Sequence, residues 1–104
     1  MATASKLNFP PILYVTVPPA QDVPNAVYNQ EIVFESMSQQ YTICFATNPL
    51  WPSISGKSFS NQTRTSITTP SVDTSIDYNV VTSGPCVAAA DAVHTIHVSS
   101  TGKK

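Results

Sequence analysis

Apolar and polar residues alternate with a period of two in several short stretches of this 104-residue chain. Clusters of Pro, Asn, Ser and Gly separate those stretches. A period of two sends successive side chains to opposite faces, as a β-strand does. In Glu31–Glu35 the alternation sets Ile32 and Phe34 against two glutamates. In 41–47 it sets Tyr41, Ile43 and Phe45 against Thr42, Cys44 and Ala46. In 75–81 it gathers Ile76, Tyr78 and Val80 on one side. Further strands are predicted over 12–17, 54–59, 64–69 and 93–98. Gly56 weakens 54–59, and the polar composition of 64–69 suits a sheet edge. Residues 20–25 read as a loop. The polar stretch Ser36 to Gln40 is short enough for a hairpin between the second and third strands. Only 87–92 could form a helical turn.

Strands so short, spaced by turn signals about every 8–12 residues, predict an all-β fold. The expected architecture is a seven-stranded antiparallel β-sandwich, with a small β-barrel as the alternative. One domain over 1–104 is expected, with 1–11 as an N-terminal arm and 99–104 as a polar tail. The core is expected from Ile32, Phe34, Ile43, Phe45, Ile76, Tyr78 and Val80, joined by Ile96 and Val98 or their neighbours.

Composition narrows the partners. Charged residues make up 11% of the chain, less than half the usual ~25%. Ser and Thr fill much of the difference, a surface expected of secreted, cell-surface or lattice-forming β proteins. The five basic residues, Lys6, Lys57, Arg64, Lys103 and Lys104, are scattered or terminal. They form no stripe to neutralise phosphates, so nucleic acid is not an expected partner. Apolar runs fall far short of the ~20 residues that cross a bilayer, so no membrane span is expected. Residues 1–7 lack the apolar centre of a signal peptide.

Candidate chemistry is sparse. Cys44 and Cys86 are either a disulfide pair or two separate thiols. A disulfide would close a loop of roughly 43 residues, worth about 4 kcal/mol on a chain-entropy model, and would imply an oxidising compartment. His94 and His97, with Cys86, are the weak candidates for metal ligation. Histidines three apart on a strand point to opposite faces, which argues against one shared ion. Cys86 and His94 could be drawn as a thiol–imidazole pair, in competition with the disulfide. The acids Glu31, Glu35, Asp73, Asp77 and Asp91 match no calcium loop and are expected to solubilise the surface. No nucleophile elbow occurs in a chain with three glycines. Neither an enzyme nor a cofactor is expected. Asn61-Gln62-Thr63 is a glycosylation acceptor sequence. Tyr14, Tyr28, Trp51 and Phe59 lie in or beside loops and presumed edges, where aromatics form either a partner patch or end caps.

A late strand with Tyr78-x-Val80, then a loop cysteine, Cys86, then a closing strand resembles the C-terminal part of the cupredoxins. The resemblance covers about 25 residues and implies a cupredoxin-like sandwich; an immunoglobulin-like one is the alternative. It places Cys86 at the ligand cysteine. The chain departs from the family there: Val87-Ala88-Ala89-Ala90-Asp91 follows, no methionine comes after Cys86, and no histidine precedes it. Blue copper needs two His and one Cys. The resemblance therefore implies the architecture and, at most, a degenerate metal-binding protein.

The remaining feature is the uncharged run Ile12, Leu13, Tyr14, Val15, Thr16 and Val17, bounded by prolines on both sides. Either it pairs within its own sheet as ordinary core, or it adds to a neighbouring copy by strand addition. The expected function is accordingly binding or self-assembly, with another copy or another protein as partner.

Overall fold

The structure is a computed structural model that describes residues 10–17, 20–82 and 94–102. The described residues form eight strands and no helix: β1 (Leu13–Thr16), β2 (Val23–Val27), β3 (Glu31–Glu35), β4 (Tyr41–Phe45), β5 (Ser58–Gln62), β6 (Arg64–Thr68), β7 (Thr74–Val81) and β8 (His94–Ser99). Alternation becomes burial where the pattern predicts it. In β4, Tyr41, Ile43 and Phe45 are buried, while Thr42 and Cys44 are half-buried on the other face. In β7, Ile76 and Tyr78 are buried and Val80 is half-buried against the core.

The strands make two sheets rather than one closed barrel. One has the order β1-β3-β6 and the other β2-β8-β7-β4-β5. Their inward residues share one hydrophobic cluster. Phe34 of the first sheet meets Phe45 and Tyr78 of the second, at ring-centroid distances of 6.4 and 5.2 Å. The Tyr41 hydroxyl crosses the same gap and donates to the Phe34 carbonyl oxygen at 2.6 Å.

Several sequence expectations are corrected. The described residues hold eight strands, because 23–27 is a strand and not a loop. The sheets are not wholly antiparallel, because β1 runs parallel to β3 and β2 parallel to β8. The polar stretch 36–40 is no hairpin turn: β3 and β4 lie in different sheets, so it carries the chain from one to the other. The fourth expected strand also shifts. Residues 49–56 are turns, Gly56 takes a left-handed φ of 65°, and β5 begins only at Ser58.

Two buried polar side chains fix the end of the molecule where β1 begins. Gln30 accepts from Val27 N at 2.9 Å and donates through Nε2 to the Pro11 carbonyl at 2.7 Å. Its own backbone N donates to Thr69 Oγ1 at 2.8 Å. Through its side chain and its backbone N–H, this one residue joins the start of β1, the end of β2 and the end of β6. Asn48 donates to Thr74 Oγ1 and to the Ser75 carbonyl at 2.9 and 2.7 Å, and accepts from Leu50 N at 2.9 Å. That holds the 48–56 loop so that Trp51 drops into the core, 1% exposed.

The polar-tail reading of 99–104 also changes. Ser99 is buried, ends β8 and pairs with Val27. Gly102 has φ 73°, and a Cβ there would come within 3.0 Å of Val27 Cγ1 and 3.1 Å of the Asn25 oxygen. The chain passes β2 too closely for a side chain. Most of the expected arm, residues 1–9, lies outside the described residues.

Candidate functional site

Four strands stand at sheet edges: β1 and β6 in one sheet, β2 and β5 in the other. Edges expose unpaired backbone groups and are usually blunted by charge, proline or a bulge. The β2 edge contains Pro24, and its register breaks between Val23 and Ala26. The β5 edge has a register break in its pairing with β4, and Asn61 near its end is left-handed, with φ 59°. The β6 edge carries Arg64, paired with Glu35 at 3.2 Å. The β1 edge has none of these. Its four residues pair in unbroken register with β3, from Leu13↔Ile32 to Thr16↔Glu35, and none is charged or proline.

Backbone alternation decides which β1 groups are open. Val17 N donates to the Glu35 oxygen at 2.8 Å. In a parallel ladder every second residue directs both its N–H and its C=O to the same neighbour. The odd residues, Leu13, Val15 and Val17, therefore serve β3. Ile12, Tyr14 and Thr16 direct their backbone groups away from it. No other described strand pairs with that side. Among the described residues, the exposed Gln21 side chain reaches it, donating through Nε2 to the Thr16 carbonyl at 2.6 Å.

The side chains divide the same way. Val15 and Val17 are buried and Leu13 packs against the core. Tyr14 is 59% exposed and Ile12 39%. The expected edge residues are thus half core and half surface. Of the four aromatics that could have made a patch, only Tyr14 is surface. Trp51 is buried, Phe59 and Tyr28 pack against the core, and the Tyr28 hydroxyl donates to Asp73 at 2.5 Å.

The histidines occupy the two sides of β8. His94 stands opposite Tyr78 and shares a face with the buried Ile96 and Val98, whereas His97 stands opposite Ser75 on the other face. Asp22 binds near His94: its Oδ1 lies 3.2 Å from His94 Nδ1 and accepts from Thr95 N at 3.1 Å. A cleft of about 300 Å³ opens on the His97 face of β8, lined by Asp22, Pro24, Ser75, Thr95 and His97. The nearby Asp77 accepts from Thr95 Oγ1 at 2.8 Å. Elsewhere Glu31 accepts from Ser66, and Asp73 from Tyr28 and Ser100 N. Among the described residues, Asp22 and Asp77 both bond Thr95, while Glu31, Glu35 and Asp73 are held in separate local bonds. Among the described residues, no group of three His, Cys, Asp or Glu side chains could hold a metal ion.

Cys44 lies on β4 opposite Asn79 and Ser58. Cys86 and Asp91 lie outside the described residues, and so do the disulfide, thiol–imidazole and metal expectations that depend on Cys86. Asn61 of the glycosylation sequence is exposed. Among the described residues no helix is long and apolar enough to cross a membrane. Comparison of the chain with protein-family models, with curated proteins and with solved structures finds no match.

Proposed function

We propose that this chain is a non-enzymatic β-sandwich that works by binding or assembly, and that the open edge of β1 is the surface it uses. The observation that carries the reading is the contrast among the four edges. Three have a proline, a register break or a charge; β1 has an intact, uncharged ladder with its outward groups at Ile12, Tyr14 and Thr16 unmatched by any described strand. An extended segment added there gains backbone hydrogen bonds without displacing a native strand. The two sheets and their shared core support a sandwich, and the cupredoxin resemblance contributes architecture alone. A degenerate cupredoxin-type metal site is the second reading. It would rest on Cys86 with His94 or His97, and no described contact favours it.

Amide hydrogen exchange tests the edge. Leu13 and Val15 amides, bonded to β3, should be protected at every concentration. Tyr14 and Thr16 amides should exchange freely in dilute protein and slow down either on concentration or on adding a synthetic peptide copying residues 12–17. Free exchange of both amides under both conditions would end the proposal.

A further inference from the structure

We infer that the strand added at this edge is β1 of a second copy, antiparallel and in a register centred on Tyr14. The inference rests on the edge reading above and names its partner. The argument begins with the open stretch, 12–16. Its three outward residues are evenly spaced about Tyr14, with Ile12 two residues before and Thr16 two residues after. In an antiparallel pair, directly opposed residues exchange both hydrogen bonds at alternate positions. A two-fold axis through Tyr14 sets Tyr14 against Tyr14 of the second copy. It also sets each Ile12 against the other copy's Thr16. Every outward N–H and C=O of the stretch is then paired. Shifting the register by two residues would bring Pro18, which has no N–H, opposite Ile12 and leave part of the ladder unmade.

Charge and exposure agree with this register. No charged residue lies within 12–17, so two copies oppose no like charges. The axis brings together the exposed side chains of the edge, Tyr14 and Ile12, on the solvent face of the sheet. Gln21 does not block the pairing: its side chain is exposed, and the Thr16 carbonyl it touches has a second lone pair. The joined sheet runs β6-β3-β1-β1-β3-β6 across the two copies. Both new outer edges are β6, which carries Arg64. The same surface is used on both copies, so the assembly closes at two and does not grow into a fibre.

The test uses the intact chain and three substitutions. Light scattering should give twice the 11.2 kDa chain mass at high micromolar concentration. Tyr14→Lys puts two like charges at the axis and should return the monomer without lowering the melting temperature measured in dilute, monomeric protein, because Tyr14 is exposed and its backbone does not serve β3. Under mild oxidation Tyr14→Cys should cross-link to itself, since opposed hydrogen-bonded residues stand ~5.5 Å apart at Cα, within disulfide reach. Thr16→Cys should not, because its two copies lie about 13 Å apart along the strands. Peptide mapping identifies the link between introduced thiols against Cys44 and Cys86. A self-link at Thr16→Cys without one at Tyr14→Cys, a dimer that survives Tyr14→Lys, or growth beyond two copies would overturn the register. If one of those results comes with slowed Tyr14 and Thr16 exchange, the edge reading stands while this inference falls. A chain that stays monomeric at high concentration overturns the inference, and the peptide arm of the exchange experiment then decides the edge reading on its own.

Discussion

Tyr78 and Gln21, 57 residues apart in the chain, exchange two hydrogen bonds. The Gln21 N–H donates to the Tyr78 hydroxyl at 3.0 Å, and the hydroxyl donates to the Gln21 carbonyl oxygen. The bonds tie the link between β1 and β2 to the middle of β7. They also hold the open edge in place, because Gln21 is the residue whose side chain reaches Thr16.

This bond pair predicts an alkaline limit to stability. Burial pushes the Tyr78 hydroxyl up to about 12; the Gln21 backbone bond opposes the shift, and Asp22 adds to it. A tyrosine in the unfolded chain titrates near ~10. The native state therefore keeps its proton where the unfolded state loses it. The stabilisation is complete below pH ~10 and is lost as pH rises towards ~12, in total about 3 kcal/mol. Burial also raises Tyr41, which adds a loss in the same direction. Denaturant melts between neutral pH and pH 12 should show the decline. Tyr78→Phe should flatten part of it and cost about 1–3 kcal/mol at neutral pH, because both Gln21 backbone groups lose their partner. An unchanged pH profile in that variant would contradict the assignment.

Phe45 is the hub of the aromatic core: it meets Phe34 across the gap between the sheets, and Tyr78 and Phe59 within its own sheet. Its ring lies 6.4 Å from Phe34, 6.1 Å from Tyr78 and 6.2 Å from Phe59. Phe45→Ala should cost about 3–5 kcal/mol, a large share of the stability of a domain this size. Chemical denaturation followed through Trp51, the sole tryptophan, measures it. A variant as stable as the parent would show that Phe45 is not the keystone of the core.

The two cysteines are expected to form one disulfide, because the chain has no other thiol to pair with either. Peptide mapping of the non-reduced protein should recover the Cys44 and Cys86 peptides as one species. Reduction should then lower stability by about 4 kcal/mol on the loop-entropy estimate. Two alkylatable thiols in the untreated protein would refute the pairing.

Stoichiometric copper or zinc is not expected. The pleat of β8 sends His94 and His97 to opposite faces, against Tyr78 and Ser75, so one ion does not reach both. Metal analysis of the purified protein checks this directly. Tight one-to-one copper binding that disappears with His94→Ala would reverse it and promote the metal-binding reading.

The local period of two determined a good deal. It fixed the class of fold, the inward faces of β4 and β7, and the opposed facing of the two histidines, because strand geometry alone sets which side chains share a face. It also singled out 12–17 as uncharged and apolar. The eighth strand was hidden: 23–27 contains Pro24 and Asn25, and its buried residues, Val23 and Ala26, are three apart across a register break, so no alternation marks it. For Trp51, set in a proline-bounded turn, the sequence left partner patch and end cap both open, and only the Asn48 bonds that hold its loop put it in the core. Pairing was the larger omission. Leu13 meets Ile32 and Val23 meets Ile96 through contacts distant in sequence, and the hydrophobic period records which side a residue faces but not which strand lies beside it. Only the tertiary structure therefore decided that β1 is an edge, that its partner is parallel, and that no described strand pairs with the outward side of Ile12, Tyr14 and Thr16.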